Sequence, residues 1–138
     1  MLIETYTYDG EGYDPYLIQV NWQVAKLNYM PGQGLSDITK IDKHVHTDEV
    51  FILVKGLAVL IAAEQNEKGY TFYSQKMQPG ITYNIKADTW HNIAMDADAE
   101  VIIVEKNNTH INDCIYVPLK KNEKIDLYDN IQATLNLL

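Results

Sequence analysis

Turn-forming residues interrupt this chain at short intervals, and that spacing limits the fold more than any other feature. "MPGQGLSD" (30–37), "QNEKG" (65–69), "QPG" (78–80) and "MDADA" (95–99) each place Pro, Gly, Asn or Asp where a chain reverses. In "QPG", Pro79 presets φ and Gly80 admits a positive φ, which predicts a type II turn. Between the turns lie short runs rich in β-branched and aromatic residues, read as strands over 17–30, 49–54, 57–63, 70–77, 82–85, 91–95, 100–105 and 114–119. Many short strands with regular turns predict an all-β sandwich or barrel. The end of the chain differs. In "IDLYDNIQATLNLL" (125–138), Leu127 or Tyr128, Ile131, Leu135 and Leu138 recur at three-to-four spacing, which predicts a short helix after Pro118. A helix there has to dock on the barrel or on a partner subunit.

At 138 residues the chain fits one domain, with 46% apolar residues to build a core. The net charge is −8, and all eleven basic residues are lysine. That balance disfavours nucleic acid, whose binding depends on neutralising phosphates. The absence of arginine also removes the bidentate fork suited to carboxylates and phosphates, so a neutral ligand, a cation or a metal-bound anion fits better. No apolar run reaches the roughly 20 residues that span a bilayer, and no membrane partner is expected. The acidic N-terminal stretch lacks a secretory leader pattern, and a lone cysteine, Cys114, allows no internal disulfide; the expected setting is a reducing cytoplasm.

The chemistry concentrates in "KHVHTDEVFILVKG" (43–56) and "KADTWHNI" (86–93). Histidine and carboxylate are ligands for first-row transition metals. On an extended segment His44 and His46 point to one side and can reach one ion. Asp48 or Glu49 can add oxygen, and His91 can complete the set from another strand. On a regular strand, however, His44, His46 and Asp48 share a face while Glu49 turns away with Phe51 and Leu53. A bulge between His46 and Glu49 is therefore expected. Alternation sends Trp90 to the face opposite His91. Glu105 is expected to be solvated, His110 to lie on the surface, and Cys114 to be a small core residue.

These two segments resemble the motifs of the cupin superfamily, and the resemblance covers roughly residues 10–119. The first motif has the form G-x5-H-x-H-x3/4-E-x6-G, here filled by His44, His46, Glu49 and Gly56 with the six-residue gap kept. The second has the form G-x5-P-x-G-x2-H-x3-N, here matched by Gly80 and His91. The chain is most similar to small single-domain bacterial cupins of unassigned function. In that group the position of His44 is usually histidine, and that of His46 varies. Three departures stand out: Lys86 and Asp88 replace the Pro and Gly of the second motif, Met95 replaces its Asn, and only two residues separate His46 from Glu49.

The resemblance implies a double-stranded β-barrel, jelly-roll-like; with the periodicity of the tail, the expected organisation is a barrel with an N-terminal arm over 1–119 and a helical extension over 120–138. The resemblance also implies one divalent transition metal (Fe, Mn, Ni or Zn) held by His44, His46, Glu49 and His91, with Phe51 and Tyr83 against a small-molecule ligand. The first expectation is thus a metal-dependent enzyme acting on a small polar metabolite. A metal-free sugar isomerase or epimerase, with a histidine base and Tyr83 as acid, is the second. A non-catalytic sensor of a small ligand or metal is the third. Tyr6, Tyr8, Tyr13 and Tyr16 are expected to form the seam of a homodimer.

Overall fold

A computed structural model describes residues 2–136. The strands are β1 (Gly12–Ile18), β2 (Gln23–Asn28), β3 (Lys40–Lys43), β4 (Glu49–Lys55), β5 (Ala58–Asn66), β6 (Gly69–Lys76), β7 (Thr82–Ile85), β8 (Trp90–Met95), β9 (Glu100–Glu105) and β10 (Ile115–Pro118). A single helical turn, α1 (Thr109–Asn112), precedes β10, and α2 (Lys121–Leu135) closes the described chain. The strands form two antiparallel sheets of five, ordered β1-β2-β9-β4-β7 and β10-β3-β8-β5-β6. This is the jelly-roll-like all-β architecture that the turn spacing predicted.

Side-chain alternation builds the interior. In β2, β4 and β9 every second residue is buried, so Gln23, Ala25 and Leu27, then Glu49, Phe51 and Leu53, then Val101, Ile103 and Glu105 face inward. They pack on Leu60, Ile93 and Met95 of the opposite sheet. The run 58–63, by contrast, is apolar at every position, because its sheet is covered on both sides. Its outer face, with Val59, Ile61, Ala63 and Ala94, lies beneath Leu127 and Ile131 of α2.

The helix therefore docks on its own barrel. Leu127 and Ile131 are fully buried, Leu135 is half-buried and Tyr128 is exposed; Leu138 lies outside the described residues. The Glu123 carboxylate accepts the backbone N–H of Lys120 at 2.8 Å and caps the first turn. Asn130 donates to the Phe72 carbonyl at 3.1 Å and also bonds Ser74, which fixes the helix over β6.

Two turns match their sequence reading. Gly80 has φ +84°, and Ile81 N–H reaches the Gln78 carbonyl at 3.4 Å, as in a type II turn. Gly56 has φ +83°, and a Cβ there would sit 2.5 Å from the Cα of Ala99, so no larger residue fits. The first strands differ from expectation. The run 17–30 is two strands, because the chain reverses at 19–22 with Gln19 N–H bonded to the Trp22 carbonyl at 2.8 Å. β1 begins before that run and accommodates Pro15, since it is an edge strand with a register shift between Asp14 and Leu17.

Candidate metal centre

Two rows of polar side chains face each other at one end of the barrel. In one sheet Gln23 pairs with Glu105, and Glu105 pairs with Glu49. In the other sheet Asp42 pairs with His91. His44 follows directly on β3. The next inward row is apolar, with Ala25, Ile103, Phe51 and Tyr83 side by side, so the polar rows sit on a hydrophobic floor.

The centre is compact. His91 Nε2 lies 2.7 Å from Glu49 Oε1, and His44 Nε2 lies 3.4 Å from the same oxygen. His44 Nε2 is also 3.9 Å from Glu105 Oε2 and 4.0 Å from Asp42 Oδ2. Two ligands each about 2.1 Å from one ion lie roughly 3.0 Å apart at a right angle and roughly 4.2 Å apart across the ion. The observed separations fall in or near that range, so His44 can share an ion with Glu49, Glu105 or Asp42, and His91 can share one with Glu49. Two overlapping triplets, Asp42–His44–His91 and His44–Glu49–Glu105, each present one donor atom per residue within 4.8 Å of the others.

Backbone carbonyls select the histidine tautomers. His44 Nδ1 is 2.6 Å from the Asp113 carbonyl, and His91 Nδ1 is 2.9 Å from that of Thr89. A carbonyl only accepts, so both Nδ1 atoms carry hydrogen and both neutral rings turn a lone pair on Nε2 toward the centre. Asp113 does more: its carboxylate accepts the backbone N–H groups of Val45 and His46 at 2.9 and 2.8 Å, clamping the turn that carries His44. Those bonds hold the Asp113 carboxyl below its usual range although burial opposes them.

Burial and charge set the protonation of the cluster. For His44 burial disfavours charge, yet hydrogen bonds with Cys114, Glu49 and the Asp113 carbonyl prevail, and its pKa is pushed up to about 11. His91 also shifts up against burial, through its bond to Glu49. Glu49 shifts down despite burial because both histidines bond it. Burial, and then the neighbouring Glu49, push Glu105 up to about 9. Burial raises Asp42 as well. Without a cation the centre thus balances its carboxylates with protons, and any metal has to displace them.

The donors line one wall of a cavity of about 330 Å³. Phe51, Gln33, Asn92, Cys114 and Tyr116 are on its other walls.

Several sequence expectations need correction. His46 is exposed and takes no part in the cluster, because residues 44–48 cross between the sheets instead of continuing one strand. No bulge is needed for the same reason: His44 and Glu49 belong to opposite sheets and approach across the barrel. Tyr83 does not reach the cavity; it is buried in the core and its hydroxyl accepts the Gln78 N–H at 2.9 Å. Glu105 is buried, not solvated. His110 and Cys114 line the cavity, not the surface or the core. Trp90 does face away from His91, packing against the outer apolar cluster with Lys43 Nζ 4.7 Å from its ring centroid.

No protein-family model and no curated protein matches the sequence. The fold does resemble solved structures. A cupin-2 domain protein from Shewanella frigidimarina is similar over 72% of this chain and 85% of its own, with 18% identity and a TM-score of 0.52. KdgF from Halomonas sp. matches over 70% of this chain and 77% of its own, at 14% identity and TM-score 0.51. L-ribose isomerase from Cellulomonas parahominis matches over 69% and 57%, at 11% identity and TM-score 0.52. This chain has the cupin fold.

The cupin frame explains the short gap before Glu49. Shifting the first motif back by two residues puts Asp42 and His44 in its H-x-H positions and leaves four residues before Glu49, within the motif's range. Asp42 then stands where the motif has histidine. In the second motif Asp88 stands for glycine and still adopts φ +65°, so the turn keeps its shape, helped by the 2.6 Å bond from its N–H to the His44 carbonyl. Asp42 was therefore detectable from spacing alone. Glu105 was not, because "VIIV" before it is apolar in both parities and hides which face is inward.

Proposed function

We propose that this cupin is a metal-dependent enzyme acting on a small polar metabolite, with Asp42, His44, Glu49 and His91 as metal ligands. The observation that carries the reading is the convergence of four donors from two sheets on one point beside an open cavity, with both Nε2 atoms turned inward. A divalent metal held there would polarise a carbonyl or activate a bound water or hydroxyl. The chain's own part is to orient and to exclude. The carbonyls of Asp113 and Thr89 fix the two rings, while Phe51 and Ile103 keep the floor dry. The Tyr116 hydroxyl and Gln33 Oε1 are left to bond a polar ligand, because Gln33 Nε2 donates to Asn92 and Ile93 and Asn92 is held by Lys40 and Ile93. The amide of Gln33 is itself held at 3.0 Å by Asn92.

The metal-free sugar isomerase reading has less support. Its named acid, Tyr83, is engaged by Gln78 below the cavity floor, so it would need another, such as Tyr116. The L-ribose isomerase shares the fold, and at 11% identity that likeness extends no further.

Elemental analysis of the purified protein tests the proposal. Close to one transition metal per chain is expected, and His91→Ala should remove it. Protein that carries no metal and gains none on addition of iron, manganese, nickel or zinc would refute it.

A further inference from the structure

Glu105 lies in the centre but outside the four-ligand set. It pairs directly with Glu49 across neighbouring strands, and both side chains are buried. Like charges opposite each other in a sheet are destabilising, and burial sharpens the repulsion. Such a pair persists where a proton, as in the metal-free centre described above, or a cation in its place sits between the two groups.

The two oxygens of Glu105 have different surroundings. Oε1 accepts from the Tyr13 hydroxyl at 2.7 Å and from Gln23 Nε2 at 3.2 Å. The orientation of Gln23 is itself fixed, since its Oε1 accepts the Asn108 N–H at 2.8 Å. Oε2 is buried and has no hydrogen-bond partner. It faces His44 Nε2 at 3.9 Å, and the side chain is 2% exposed. A buried carboxylate oxygen without a donor is costly, and here the two donors that reach Glu105, the Tyr13 hydroxyl and Gln23 Nε2, both go to the other oxygen. That leaves Oε2 free on the side facing the centre.

We propose that Glu105 is a fifth, direct metal ligand, which makes the centre a two-histidine, three-carboxylate site suited to Mn²⁺ or Fe²⁺. This rests on the metal reading above. Oxygen donors favour the harder cations, and Mn²⁺ uses higher coordination numbers than the four ligands that satisfy Zn²⁺. Tyr13 and Gln23 are positioning residues. They act through Glu105 Oε1, as outer partners commonly do for metal-bound carboxylates.

The test measures Mn²⁺ and Zn²⁺ affinities of the metal-free full chain by chelator competition. Glu105→Gln should weaken Mn²⁺ roughly 100-fold and Zn²⁺ by less than about tenfold, because Zn²⁺ keeps four ligands. Tyr13→Phe should weaken Mn²⁺ about tenfold by loosening Oε1. Mn²⁺ affinity of Glu105→Gln within about twofold of the parent, or an equal loss for both metals, overturns the proposal. A parent chain that binds neither ion overturns the metal reading along with it, which separates the two failures. Should Glu105→Gln not fold, a crystal structure of the Mn²⁺-loaded parent decides: Oε2 bound to the ion supports the assignment, and a water between them refutes it.

Discussion

Replacing Asp42 and His46 in turn tests which residues fill the first cupin motif. Asp42 Oδ2 sits 4.0 Å from His44 Nε2, whereas His46 is exposed on the turn between sheets. At an effective dielectric near 20, a unit charge even about 4 Å from a divalent ion, roughly twice the distance of a bound ligand, is worth roughly 8 kcal/mol before desolvation, a lower bound for a coordinated Asp42. In Asp42→Asn the charge is lost but an oxygen remains. Even if recovered desolvation and that oxygen return two thirds of the energy, about 2.7 kcal/mol is forfeited, near 100-fold in affinity. His46→Ala removes an exposed side chain and should change affinity by less than about twofold and stability by less than about 0.5 kcal/mol. Chelator competition with Mn²⁺ or Zn²⁺ reads the affinities, and thermal melts of the metal-free proteins confirm that both variants fold. A loss in His46→Ala as large as that in Asp42→Asn would refute the reasoning, since residues 44–48 would then have to rearrange into one strand on binding.

Two further outcomes follow from the packing and the protonation of the centre. Leu127→Ala should cost about 2–4 kcal/mol in urea unfolding, because its side chain is fully buried over β5 and β6, while exposed Tyr128→Ala should cost less than about 0.5 kcal/mol; equal effects would mean that α2 is not docked as described. The metal-free protein should lose stability between pH 6.5 and 9. His44, raised to about 11, stabilises fully below its unfolded value near 6.5 and less as pH climbs toward 11, and Glu105, raised to about 9, favours the folded state only while protonated, so its contribution declines from near pH 4.3 up to 9. A melting temperature that is equal or higher at pH 9 would contradict both shifts.

The sequence made the periodic parts of this fold legible and hid the parts where periodicity is interrupted. Strands β4, β6, β7, β8 and β9 and the helix α2 each carry enough residues at one spacing to be read directly. β3 is no shorter than β7, but "KIDK" holds one apolar residue, Ile41, among three charged ones, too polar to register as a strand. Missing it had a consequence for the site. With no strand end at Lys43, the residues from His44 to Glu49 looked continuous, and alternation was applied across a segment that turns from one sheet to the other. Alternation holds only within one strand, and carried across this turn it puts His46 inside and passes over Asp42.

The exchange of His for Asp in the motif also alters the charge of the centre. A three-histidine, one-carboxylate set with a divalent ion sums to +1 when the histidines are neutral, which would welcome an anion. With Asp42, Glu49 and Glu105 ionised around the same ion, two neutral histidines leave the sum at −1. Lys40 is the one lysine lining the cavity among the described residues, and its Nζ is 4.3 Å from the Tyr116 ring centroid. A free carboxylate or phosphate would thus meet net repulsion at the metal and find no arginine to offset it. An uncharged ligand with hydroxyl or carbonyl oxygens meets neither obstacle. With the proposed ligand set, the lysine-only composition and the charge of the centre favour the same class of ligand, polar and uncharged.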